Sequence, residues 1–138
     1  MKQRSAPSCV EKGAVMPVLE KERLAKKNFE LPDEVRKFDR GRSEIVNIGD
    51  LTLSRLVFEP GWRWSTSFKP IVGGESCQVR HTGYVISGRL HTRMDDGTEE
   101  EYGPGDVVLT PAGHDGWTVG DEPVVFLQID GAAEYGKK

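Results

Sequence analysis

The fold is decided by the stretch ESCQVRHTGYVISG, Glu75 to Gly88. Glu75, Cys77, Val79, His81, Gly83 and Val85 share one parity. In an extended chain, alternate side chains point to the same face, so a carboxylate, a thiol and an imidazole would share one wall. Carboxylate, thiolate and imidazole are the side chains that hold divalent metals. Cys77 and His81 would stand about 13 Å apart along a straight strand. A shared ion therefore requires a bulge or strand curvature between them.

The rest of the composition suits a small β-protein around that stretch. The chain has 138 residues, with 16 Gly and 8 Pro placed among short apolar runs. That is the length of one domain, and the turn density favours an all-β architecture. The formal net charge of −3 argues against a general nucleic-acid binder. Eleven Lys/Arg face eight Asp/Glu in residues 1–44, so the later part of the chain is acidic. No apolar run approaches the roughly 20 residues of a membrane span, and the N-terminus has no secretory apolar region. A cytoplasmic protein without a membrane partner is the expectation. Cys9 and Cys77 do not make a disulfide framework.

Outward from the deciding stretch, Asp95-Asp96-Gly97 between extended segments predicts a hairpin, because Asp and Gly tolerate positive φ. Gly103-Pro104-Gly105-Asp106 predicts a second tight turn. Val107–Thr110 reads as a short buried strand, and Val124–Ile129 as an apolar core strand. Upstream, residues 44–48 and 51–59 read as two strands about the turn Asn47-Ile48-Gly49-Asp50. Pro60-Gly61 then breaks the chain before Trp62-Arg63-Trp64, whose indoles share one side if extended, and Lys69 to Gly74 reads as a loop. Residues 1–43 form a polar leader with a short helix predicted near Leu19 to Lys27, and 132–138 form a tail. Pro32 ends any helix there, and no helix is expected within 44–131.

The order of these pieces resembles a cupin, a jelly-roll β-barrel (double-stranded β-helix) whose two sequence motifs bracket a pocket. Gly88 matches the last Gly of the first motif, and Gly105 to Gly113, GDVVLTPAG, matches the second up to its His. At the ligand positions of the family, this chain has Glu75 and Cys77 where two histidines are usual and His81 where Glu is usual. Gly116 falls where the second motif has its His, and the nearest imidazole is His114. More narrowly, EPGWRWS, CQVRHTGY and PAGHDGW are similar to small bacterial single-domain cupins of the RmlC-like jelly-roll type, with Cys-Gln-x-x-His in place of the His-rich motif. Most members of that group are uncharacterised. The resemblance implies the fold over residues 44–131, a pocket and, since cupins often pair through their sheets, a homodimer.

Three functions stay open. One is a small-molecule pocket walled by Trp62, Trp64 and Trp117, with Cys77 and His81 at its base. Another is a metal-dependent enzyme holding Zn²⁺ or Fe²⁺ on Cys77, His81 and His114, with Glu75 as a fourth ligand. The last is a non-catalytic sensor or interaction module. In the plainest alternative, Cys77 is a small buried hydrophobe and His81 a hydrogen-bonded core histidine. Arg80, Arg89 and Arg93 suggest a cationic patch, although exposed strands commonly carry such residues.

Overall fold

The computed structural model describes residues 22–130. Nine strands form two antiparallel sheets: β1 (Glu34–Phe38), β2 (Gly41–Ile48), β3 (Leu51–Phe58), β4 (His81–Ser87), β5 (Leu90–Met94), β6 (Glu99–Tyr102), β7 (Val107–Thr110), β8 (His114–Thr118) and β9 (Val124–Asp130). The larger sheet runs β1-β2-β3-β9-β4-β7 and the smaller β6-β5-β8. Strand β9 enters between β3 and β4, so the end of the chain closes the middle of the larger sheet. This is the expected all-β jelly-roll sandwich, and among the described residues no helix is long and apolar enough to cross a membrane.

Most turns fall where the sequence puts them. Gly49, Gly97 and Gly105 all adopt positive φ. Between β2 and β3 the register is continuous from Gly41 opposite Phe58 to Ile48 opposite Leu51. Alternation then selects the inward residues: Val124, Phe126 and Gln128 of β9 are buried, whereas Ile129 is 48% exposed. The core is strongly aromatic at one end. Trp62 stacks on Phe58 at 3.9 Å between ring centroids, and Phe68 meets Phe38 edge-on at 4.2 Å. Each such buried ring contributes a few kcal/mol through the apolar area it removes from water.

Outside the stretch Glu75 to Gly88, the structure departs from the sequence reading in four places. Strands β1 and β2 begin at Glu34 and Gly41, so part of the expected leader belongs to the sheet. Residues 22–27 form no helix, and the remainder of the segment expected to be helical lies outside the described residues. Trp64–Phe68 winds into one π-helical turn, continued by the short helix α1 (Lys69–Val72). The expectation of an uninterrupted β-domain missed both, because Trp-Ser-Thr-Ser-Phe has little helical pattern. The turn is held instead by tertiary bonds: Ser67 Oγ donates to Asp39 and the Ser65 amide donates to Asp115. Finally, β7 is not a buried strand. It is a sheet edge, with Val107 and Leu109 79% and 57% exposed while Val108 and Thr110 face inward.

Candidate metal centre

The stretch Glu75 to Gly88 is not one strand. Strand β4 starts at His81, and Cys77 belongs to a separate antiparallel bridge with His114. In that bridge the Cys77 amide donates to the His114 carbonyl at 2.7 Å, and the Gly113 and His114 amides donate to the Cys77 carbonyl at 2.7 and 3.2 Å. The Cys77 sulfur nevertheless reaches to 3.6 Å from His81 Nε2, so the side chains do not keep the separation that a straight strand would impose. A register shift between Thr82 and Gly83, where β4 runs beside β9, bends the strand next to His81. Gly83 lets the β9 backbone approach closely there. A Cβ there would lie 2.1 Å from the Leu127 carbonyl oxygen.

Three donors converge as a result. Ligand atoms of Cys77, His81 and His114 lie within 4.8 Å of one another. The Cys77 sulfur is 3.6 Å from His81 Nε2, and the two imidazole rings meet edge-on at 5.0 Å. A tetrahedral ion with Zn–N and Zn–S bonds of ordinary length sets its donors about 3.4–3.6 Å apart. The thiol and His81 already have that spacing, and no pair needs to close by more than about 1.4 Å. The donor set could therefore hold a divalent metal ion.

Burial dominates the protonation of all three donors. Burial, followed by the charge of His114, takes His81 down to about 3, so its ring is neutral. Burial also lowers His114 below its ordinary value, against the opposing pull of its bond to the Pro111 carbonyl. That bond, His114 Nδ1–H to the Pro111 oxygen at 2.7 Å, fixes the proton on Nδ1 and leaves the Nε2 lone pair available. Burial pushes the Cys77 thiol up to about 11, with a smaller contribution in the same direction from Asp115. Without a metal it is a thiol at neutral pH, and a bound cation would have to displace its proton.

Both imidazoles line a cavity that also touches Trp62, Trp64, Thr92, Thr110 and Gly116. Its volume is about 40 Å³, which is space for about three waters. The two tryptophans are wall residues as expected, yet they fill the barrel more than they open it: they are only 3% and 2% exposed. The indole N–H of Trp62 is buried with no hydrogen-bond acceptor among the described residues. Gly116 stands on the cavity wall where the resemblance would place a histidine, and His114, two residues earlier on β8, supplies the imidazole from the same strand face.

Two expected site residues lie elsewhere. Glu75 projects into solvent, its side chain 97% exposed, and faces Lys69 rather than the thiol. Trp117 has the opposite parity to His114 and Gly116 and sits on the outer face of β8, stacked on His91 at 4.6 Å with Arg63 over its other side at 4.1 Å. Arg89 and Arg93 pair with Glu101 and Glu99, so they make surface ion pairs rather than an open cationic patch. The sequence reading missed Gln128, whose side-chain nitrogen lies 2.8 Å from His81 Nδ1. Its signal was present: it is the only polar residue on the inward parity of Val124–Ile129.

Residues 73–130 match the family described as the Cupin domain. Among solved structures, a protein of unknown function from Rhizobium leguminosarum bv. viciae superposes with a TM-score of 0.57 at 20% identity, over 79% of this chain and 97% of that one. A protein of unknown function from Acidithiobacillus ferrooxidans gives 0.51 at 21% identity, over 70% and 86%. Oxalate decarboxylase from Bacillus subtilis gives 0.51 at 24% identity, covering 72% of this chain but only 27% of the decarboxylase. No curated protein matches by sequence. The chain has the cupin fold.

Proposed function

We propose that this cupin-fold protein holds a divalent metal, Zn²⁺ or Fe²⁺, on Cys77, His81 and His114, and binds a small oxygen-donor ligand beside it. The observation that carries this reading is the convergence of three donors from separate elements: the bridge at Cys77, the start of β4 and the start of β8. A buried thiol beside two buried neutral imidazoles is more than packing requires, since any of the three could be replaced by an apolar residue of similar volume.

The residues divide the work. Cys77 contributes one negative charge as a thiolate, and the imidazoles contribute none, so a divalent centre keeps a net positive charge. His81 and His114 present the ion to the cavity. Gly116 leaves the facing wall open, and Trp62, Trp64 and Phe126 exclude bulk water. Three protein ligands leave a position for an exogenous one, and a bound ion would supply Lewis acidity towards an oxygen atom there. The Trp62 N–H can donate to the same occupant. A cavity of this size admits a ligand of about three or four heavy atoms, which is smaller than the organic pocket the tryptophan pair suggested.

Cobalt(II) substitution tests the proposal. The wild type should show thiolate-to-cobalt charge-transfer absorption that Cys77→Ala abolishes, and small carboxylates or azide should shift the ligand-field bands. A spectrum identical in Cys77→Ala rejects the ligand set. Bands indifferent to added anions reject the open position.

A further inference from the structure

His81 is held through both ring nitrogens: Nε2 faces the Cys77 sulfur at 3.6 Å, and Nδ1 faces the Gln128 amide at 2.8 Å. Gln128 is fully buried on β9 and stands opposite Ser54 in the β3–β9 ladder. Ser54 is itself fully buried and hydrogen-bonded to Ser43. Burying a primary amide costs free energy that an apolar side chain at the same inward position would not. What the amide offers in return is a donor and an acceptor at one site, interchanged by a half-turn about its last bond.

The two orientations have opposite consequences for His81. With the amide nitrogen towards the ring, as observed, Gln128 donates and Nδ1 accepts. The ring proton then sits on Nε2, directed at the Cys77 sulfur, and Nε2 has no lone pair for a cation. With the amide oxygen towards the ring, Nδ1–H donates, and the Nε2 lone pair opens towards the thiol and His114. His114 has no such choice, because a carbonyl oxygen can only accept.

We propose that Gln128 is the positioning residue of this centre: its amide sets the tautomer of His81 and turns over when a divalent cation enters. The inference rests on the metal reading above and adds a gate to it, with one histidine permanently ready and the other switched.

Nitrogen-15 NMR of the full chain labelled at histidine tests it directly. Without metal, His81 should be the Nε2–H tautomer and His114 the Nδ1–H tautomer; with zinc, both should be Nδ1–H. Gln128→Met, of similar volume but without the amide, should lower zinc affinity about 10- to 100-fold. Gln128→Glu, an acceptor when ionised, should show Nδ1–H at His81 before metal is added and should retain affinity. His81 already Nδ1–H in the metal-free wild type, or Gln128→Met binding zinc as tightly as the wild type, overturns the proposal, and the first result needs no variant to fold. A wild type that binds no zinc overturns the metal reading and this inference with it, whereas zinc binding unaffected by Gln128→Met overturns only this one.

Discussion

Zinc binding at Cys77, His81 and His114 should release one proton per ion near neutral pH, and the structure says which group it comes from. The thiol, pushed up to about 11 by burial, is protonated at pH 7. His81, at about 3, and His114, below its ordinary value, are already neutral. Ionising the thiol at pH 7 costs about 5.5 kcal/mol, four pH units at roughly 1.4 kcal/mol each, and the metal–thiolate bond must recover this. The logarithm of the apparent association constant should therefore rise by about one per pH unit from pH 7 upwards, until the thiol itself titrates. Below the pKa of His114 the slope should steepen, as that ring also becomes protonated. Calorimetry in buffers of different ionisation enthalpy, from pH 6.5 to 8.5, reads both the slope and the proton count. Cys77→Ala should abolish the linkage together with most of the affinity. A slope near zero in the wild type would show that the thiol is not a ligand, and a slope of two at pH 7.5 would show that an imidazole is charged when the metal arrives.

Other outcomes follow from the same geometry. Zinc at a hundred times its dissociation constant should stabilise the wild type by about 2.7 kcal/mol, seen as a rise in Tm of roughly 10 °C that Cys77→Ala lacks; equal Tm values with and without zinc would contradict the site. Glu75→Gln should leave zinc affinity unchanged, because that carboxylate is exposed and faces Lys69; a tenfold loss would return Glu75 to the ligand set. Gly83→Ala should destabilise by about 1–3 kcal/mol or more, since its Cβ would lie 2.1 Å from the Leu127 carbonyl oxygen and 2.7 Å from the Phe126 ring; a thermal melt superimposable on the wild type would refute the close approach of β4 and β9. The expected homodimer has a candidate surface on and beside edge strand β7, where Tyr84, Ile86, Val107, Leu109 and Ile129 are exposed. An antiparallel β7–β7 pairing is self-complementary, so light scattering should find a dimer that Leu109→Lys dissociates, and a monomeric wild type at micromolar concentration would refute it.

The frame was legible in the sequence because turns and alternation are local properties. Asp95-Asp96-Gly97 and Gly103 to Asp106 carry turn chemistry of their own, and the run Val124 to Ile129, bounded by a turn at Glu122-Pro123, reads as a core strand. The site was legible in its residue types and less so in its geometry. Cys77 and His81 shared a parity, but the bridge that places Cys77 beside His114 and the register shift of β4 against β9 are set by chain segments distant in sequence. His114 was found only through the frame of the second motif, and its strand parity puts it on the same face of β8 as Gly116. Glu75 and Trp117 failed for a common reason. Parity assigns a face only within a strand whose limits and orientation are known; Glu75 precedes the bridge, and Trp117 alternates outward on β8. Gln128 was visible as a polar residue in an apolar run, but its partner is 47 residues away, which no local pattern reveals.

The central claim is that Cys77, His81 and His114 together hold a metal, and elemental analysis of the chain purified without a histidine tag tests it most directly. The account predicts one zinc or iron per chain in the wild type, lost in Cys77→Ala and in His114→Ala while both variants remain folded. A wild type that carries no stoichiometric metal, and takes up none when zinc or iron(II) is supplied, would contradict it.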